Sequence, residues 1–320
     1  MKIMKIAVLM STYNGEKYVK EQIDSILLQK DVDVYLYIRD DGSTDDTVKI
    51  INEYEKKYSN VILINRKNRV NLGINKGVLE FLLFAKHKLL DIDYFAFADQ
   101  DDKWLDDKLV SAVKLIDVYK NTQSINDQPV LYYSKKTWTD ETLNKLYDDE
   151  IIDTKGNYFD MFMPVAAYGC TFVFNRKLLE KTLEGPPSYM LAYDVYMYRL
   201  ARSMNSIIVA DKTPHILYRR HENNVTSGGE PIKISISPIT LIERTISTKN
   251  AFHTVQRYVR EIYSLHYDDL GEKQKELFEL VLGYKKSFSK KIRLLFYREA
   301  YNRGFKLAVL WFGKVLLNRV

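Results

Sequence analysis

YFAFADQDDKWLDDKL, residues 94–109, decides the fold. Its first five residues, Tyr94–Ala98, are all apolar, as in a strand covered on both faces. Carboxylates follow at once in Asp99-Gln100-Asp101-Asp102, and Leu105–Tyr119 then reads as a helix. A buried strand that runs through an acidic turn into a helix is one unit of an α/β layer fold. Ligands of such folds collect beyond the carboxyl ends of the strands.

The same alternation extends towards the N-terminus. Lys5–Met10 (KIAVLM) reads as a strand, and Val19, Ile23, Ile26 and Leu27 share one helix face. Val34–Ile38 is a second strand, after which Ser43 opens a helix with Asp46 in the capping-box position. Val61–Ile64 is a third strand and Ile74–Leu90 a helix. The expected fold is therefore Rossmann-like α/β, a mostly parallel sheet flanked by helices. Further along, Val130–Ser134 and Cys170–Asn175 read as strands and Leu191–Ser203 as a helix. From about Ile232 the chain becomes helical and basic. A boundary near Gly228-Gly229 divides a domain of residues 1–230 from a helical C-terminal extension, residues 231–320.

Apolar residues at 46% and charged residues at 28% are ordinary globular values. The net charge of +6 is unevenly placed: residues 231–320 carry 17 Lys+Arg against 8 Asp+Glu, and residues 1–230 carry 31 against 34. The basic tail suits an anionic surface, nucleic acid or membrane. Neither an aromatic RNP-like motif nor zinc-finger spacing is present, so nucleic acid is not expected as a partner. The single cysteine, Cys170, excludes an internal disulfide framework and fits a reducing cytoplasm. MKIMKIAVLM turns polar too soon for a signal peptide, and no run of about 18 uncharged apolar residues spans a membrane. These features predict a cytoplasmic protein. In residues 285–320 ten Lys+Arg stand against Glu299 alone. If Tyr301–Leu316 is helical, Tyr301, Phe305, Ala308, Phe312 and Val315 share a face opposite Arg303, Lys306 and Lys314, suited to the inner membrane surface or to a partner subunit, as in a homodimer.

Neither G-x-G-x-x-G nor G-x-x-x-x-G-K-[ST] occurs, which removes the dinucleotide and P-loop classes. Three D-x-D triplets do occur, but Asp31-Val32-Asp33 and Asp91-Ile92-Asp93 precede strands. Only Asp99-Gln100-Asp101 follows one. Carboxylates crowded there repel one another until a cation neutralises them, and Mg²⁺ or Mn²⁺ shared with substrate phosphates does so. The bland alternative is a solvated turn capping the next helix. Asp40-Asp41-Gly42-Ser43 is explained by turn chemistry alone, although a carboxylate here could also accept the N3–H of a pyrimidine. Ser11-Thr12-Tyr13-Asn14 offers hydroxyls and an aromatic face at another strand end.

Together, MSTYNGEKYVKEQIDSILLQ, YIRDDGSTDDTVKII, RVNLGINKG and FADQDDKWLDDKL resemble the family 2 glycosyltransferases, whose fold is the A-type glycosyltransferase fold. The likeness is strong over residues 5–120 and continues through YGCTFVFNRKLL, AYDVYMYRLA and LYRRHENNVTSGG to about 229. The DQDD-x-W form and the Tyr-Arg-Arg-His-x-x-Asn segment look most like bacterial rhamnosyltransferases. The resemblance implies that Asp41 binds a uracil or thymine base beside Ser11 and Tyr13. It implies that Asp99 and Asp101 form the metal motif, with Asp101 the direct ligand. It makes Asp194 the general base, and lets Arg219, Arg220 and His221 contact the diphosphate or metal. Many members carry Glu-Asp where this chain has Tyr193-Asp194, so one supporting carboxylate is missing. The implied reaction is inverting transfer of a sugar, rhamnose being the favoured one, from a dTDP- or UDP-linked donor to a glycan or lipid-linked glycan hydroxyl. The rival function is a nucleotide-sugar-binding protein without catalysis. Asp194 also has a bland role as a helix cap, and Asn224-Val225-Thr226 matches a glycosylation sequon.

Overall fold

β1 (Lys5–Thr12) supplies both faces of the core. The computed structural model describes residues 3–67, 69–123, 127–149, 167–185, 192–222, 224, 249–301 and 305–318. Successive strand side chains point to opposite faces, so Ile6, Val8 and Met10 enter one hydrophobic cluster while Ala7 and Leu9 enter the other. The first cluster is closed by α1 (Val19–Leu27), α2 (Thr47–Lys57) and α4 (Lys108–Gln123). The second is closed by α3 (Gly73–Lys88), α5 (Arg176–Leu183) and α6 (Tyr193–Ser203). Both faces of the sheet are covered, as the unbroken apolar strands require.

The remaining strands are β2 (Asp33–Asp40), β3 (Val61–Leu63), β4 (Tyr94–Ala98), β5 (Lys103–Trp104), β6 (Val130–Thr139), β7 (Lys145–Asp148), β8 (Val173–Asn175) and β9 (Ile207–Arg219). Their order is β3-β2-β1-β4-β8-β6-β9-β5, with β7 on β6. β1 to β4 are mutually parallel, and β8 runs antiparallel to both β4 and β6. The order changes direction between β1 and β4, and the carboxyl ends there form the crevice where such sheets bind ligands.

Four local expectations are corrected. Ser43 does not open α2, because its hydroxyl donates to Asp40 Oδ1 and the helix starts only at Thr47. α4 starts at Lys108 rather than Leu105, since Lys103–Trp104 pairs antiparallel with β9. Gly169–Thr171 is a 3₁₀ turn, so the strand expected from Cys170 begins at Val173. β9 was not expected at all. Asp211-Lys212-Thr213-Pro214 breaks its apolar alternation, and the register with β6 shifts there.

The described residues form two compact units. One takes those up to 149 with 167–201 and 206–224, and the other takes 202–205 and 249–318. The second unit contains α7 (Lys249–Leu265), α8 (Glu272–Gly283), α9 (Phe288–Leu295), α10 (Arg298–Tyr301) and α11 (Phe305–Leu316). Gly228-Gly229 lies outside the described residues. Of the helix expected over Tyr301–Leu316, Tyr301 ends α10 and Phe305–Leu316 forms α11, while 302–304 lie outside the described residues. Its faces also differ from expectation: Ala308, Trp311 and Val315 are buried, while Phe312 is exposed with Val309 and Leu316. Trp311 sets this rotation, its indole N–H donating to Leu294 O at 2.9 Å. The side chains of Arg303, Phe305 and Lys306 lie outside the described residues.

Candidate active site

Parallel register places Thr12 beside Asp40 and Met10 beside Ala98, so the loops after β1, β2 and β4 leave one edge of the sheet together. They are tied to one another by side chains. Gln100 Nε2 donates to Tyr13 O at 3.0 Å, and Tyr13 N donates to Gln100 Oε1 at 2.9 Å. Asn14, at φ +47°, receives Thr44 N on Oδ1, and its own N–H donates to Ser43 Oγ. Gly15 leaves room for the Gln100 amide: a Cβ would come within 2.2 Å of its Oε1 and push the side chain off Tyr13.

The two aspartates of the DDGS turn divide their roles. Asp40 is fully buried and accepts from Thr12 Oγ1, Gly42 N and Ser43 N, which makes it the turn's scaffold. Asp41 pairs with the buried Arg39, which also donates to Glu80 and to Val70 O. The pairing fixes the Asp41 side chain, while its N–H donates to Thr12 O at 2.8 Å, one residue before the exposed Tyr13 ring.

The acidic triplet is divided as well. Asp101 Oδ2 lies 2.8 Å from His221 Nε2 and 3.3 Å from Asn224 Nδ2. The His221 ring stacks on Tyr18 at 4.8 Å. A carboxylate oxygen and an imidazole nitrogen converging on one point suit Mg²⁺ or, better, Mn²⁺. Asp99 instead turns towards Asp102 and Cys170, their ligand atoms lying within 4.8 Å of one another. Burial, with Asp101 nearby, pushes the Asp99 carboxyl up to about 7, while Lys136 opposes the shift and Asp194 adds to it. Burial also holds Asp102 well above the carboxylate range.

Asp194 stands in the first turn of α6, where Oδ1 accepts Val195 N at 2.7 Å and Oδ2 accepts Gly169 N at 3.1 Å. Burial raises its pKa, and the two N–H groups and Lys136 restrain the rise. Tyr193 packs edge-on against Phe97 at 5.0 Å. Gly169 makes room for it, since a Cβ there would meet the Tyr193 hydroxyl.

The two arginines are placed differently. Arg219 is buried, and its side chain donates to Glu21, to Glu141 O and to Asp101 O, which braces the acidic loop. Arg220 lies over Trp138 at 5.9 Å. Sequence reasoning missed Asp102, Lys108, Lys136 and Asn224. Asn224, set aside as a sequon, accepts His221 N and donates to Asp101. A lysine at an otherwise apolar strand position (Lys136 in VLYYSKKTW) is the one signal that could have been used.

The model of glycosyl transferase family 2 matches residues 7–183, more than half of the chain. The protein belongs to this family. A family 2 relative, the dTDP-rhamnosyl transferase RfbG of Shigella flexneri, is 31% identical over 241 residues, 73% of this chain and 78% of that protein. Hyaluronan synthase of Pasteurella multocida is 24% identical over 98% of the chain, which spans only 29% of it. Among solved structures, S. aureus TarS superposes with a TM-score of 0.55 at 17% identity, covering 91% of this chain and 45% of that one. Its 1–349 fragment in complex with UDP gives 0.52 at 17% identity, covering 91% of this chain and 75% of the fragment. These likenesses establish the A-type glycosyltransferase fold expected of a family 2 enzyme.

Proposed function

We propose that this family 2 glycosyltransferase moves a sugar, rhamnose being the best supported, from a dTDP- or UDP-linked donor to a hydroxyl of a growing, lipid-linked cell-surface glycan, with inversion. The supporting observation is that the Gly169–Cys170 turn joins the two acidic elements: Gly169 N donates to Asp194 at 3.1 Å, and the Cys170 sulfur clusters with Asp99 and Asp102 of the acidic loop, their ligand atoms within 4.8 Å of one another. The dTDP-rhamnosyl relative supports the donor.

Asp101 and His221 would hold Mg²⁺ or Mn²⁺, which when bound neutralises the leaving diphosphate as a Lewis acid. Tyr13 presents a ring face to the base and Asp41 accepts its N3–H. Asp194 takes the proton from the acceptor hydroxyl as that oxygen attacks the anomeric carbon from the side opposite the diphosphate. A single displacement inverts the centre, and no covalent enzyme intermediate forms. A thermal-shift screen of dTDP-rhamnose, UDP-GlcNAc and other nucleotide sugars, with Mn²⁺ or with chelator, tests the reading. A ligand present at about 100 times its Kd adds about 2.7 kcal/mol of stability. The dTDP-linked sugar with Mn²⁺ should give the largest rise, and flat melting curves with every donor would overturn the reading.

A lipid-linked acceptor requires the enzyme to meet a membrane, although no described helix is long and apolar enough to cross one. The second unit supports a peripheral contact. Phe288, Ile292 and Phe296, four residues apart on and just beyond α9, are 80%, 39% and 66% exposed, and Phe296 touches the exposed Phe312 ring. Lys290, Lys291, Arg293 and Arg298 are interspersed with them in sequence, a composition that suits anionic headgroups over acyl chains. The protein should sediment with vesicles containing anionic lipid and be released by replacing Phe288 and Phe296 with Ser. Equal binding to neutral vesicles, or none to either kind, would remove the membrane contact.

A further inference from the structure

Lys136, on β6, is fully buried, and its ammonium makes no hydrogen bond. Three aromatic rings enclose it instead. Its Nζ lies 3.3 Å from the Tyr168 centroid, 3.5 Å from that of Tyr218 and 4.2 Å from that of Trp138. Ring faces are negative, so the box holds a cation without water.

Each wall of the box is wired to a different acidic group. Tyr168 precedes Gly169, whose N–H donates to Asp194. Tyr218 precedes Arg219, whose N–H reaches Asp102 and whose side chain holds the Asp101 carbonyl. Trp138 donates its indole N–H to Asp149, and Asp149 N in turn donates to Lys136 O. One charge thus sits where the acidic loop, the segment before β8 and the end of β9 meet.

We propose that Lys136 is a positioning residue that holds the cation-binding loop and Asp194 in register around one caged ammonium. The inference rests on the reading of Asp101 and Asp194 given above and deepens it. Lys136 favours the charged forms of Asp149 and Asp194. The other charged or titratable groups that face this region are Lys108, over the Trp104 ring at 3.5 Å, Cys170, Tyr168 and Tyr193. Arg220 also lies over the Trp138 ring, at 5.9 Å. Lys108 acts on Asp99 and Asp102, Lys136 is the cation that favours the ionised Asp194, and the remaining three groups are acids.

Lys136→Met keeps the length of the side chain and removes the charge. Turnover should fall about tenfold or more, and the acid limb of the kcat–pH profile should move to higher pH, because Asp194 loses the cation that favours its ionised form. In protein without donor or cation, amide exchange should speed up in peptides covering 167–172 and 216–222 and stay unchanged in β1 and β2. Lys136→Arg should keep the limb near its original pH. If Lys136→Met does not fold, Trp138→Leu opens the box to water and is read in the same two ways. An unmoved acid limb with unchanged exchange would reduce the box to packing and overturn the inference. Wild-type protein that transfers no sugar would overturn the functional reading instead, while the exchange measurement would still judge Lys136.

Discussion

Asp101→Ala should abolish sugar transfer and leave the protein folded. Asp101 supplies the carboxylate oxygen that meets His221 Nε2, whereas its contribution to the scaffold is a backbone carbonyl that accepts from Arg219 and survives the substitution. Lewis-acid stabilisation of a leaving diphosphate is worth several kcal/mol. Its loss therefore corresponds to about a thousandfold in rate or more. Initial-rate measurement of transfer with a Mn²⁺ titration, beside a melting curve, checks the result. Wild-type activity that persists in excess chelator would show that the Asp101–His221 pair is a structural contact.

Asp194→Asn should reduce kcat by about 10² to 10⁴, the usual cost of removing a general base. The sign of the pH dependence follows from the raised carboxyl. The base must be ionised, so wild-type turnover rises as pH climbs through a value above the ordinary carboxylate range, and the variant should lose that limb. An amide can accept only one of the two N–H groups that Val195 and Gly169 present, so one buried donor loses its partner. That costs about 1–3 kcal/mol and should lower the melting temperature by several degrees. Near-normal turnover in a protein that melts much earlier would identify Asp194 as a cap, and Glu184 and Asp211 would become the next candidates.

The sheet was legible because its inner strands carry unbroken apolar runs, and a run such as Tyr94–Ala98 followed by carboxylates admits few folds. The strands that close the sheet were not. β5 has two residues and exists through its pairing with β9, and β9 hides its period behind Pro214. Asp101 stood out by its position at a strand's carboxyl end, and Asp194 through the resemblance carried by AYDVYMYRL. The supporting groups have neither signal. Whether Arg219 faces a ligand or braces Glu21, Glu141 and Asp101 depends on contacts 78 to 198 residues away in sequence. Lys136 likewise reads as an ordinary surface lysine until Tyr168 and Tyr218, distant in sequence, close on it beside Trp138.

Gln100, the middle residue of the triplet, is bonded to both backbone groups of Tyr13, and Asn14 is bonded in turn to Ser43 and Thr44. The three loops are thus a single cassette. Gln100 bonds backbone groups that any residue carries, so a loop transplanted from a relative keeps these bonds only along the same backbone path, and it loses the Asn14 bond to Thr44 N unless it brings an Asn there. A swap of the Tyr13 loop should therefore succeed when the loops after β2 and β4 travel with it, which makes the residue between the two aspartates as heritable a part of that segment as Tyr13 itself.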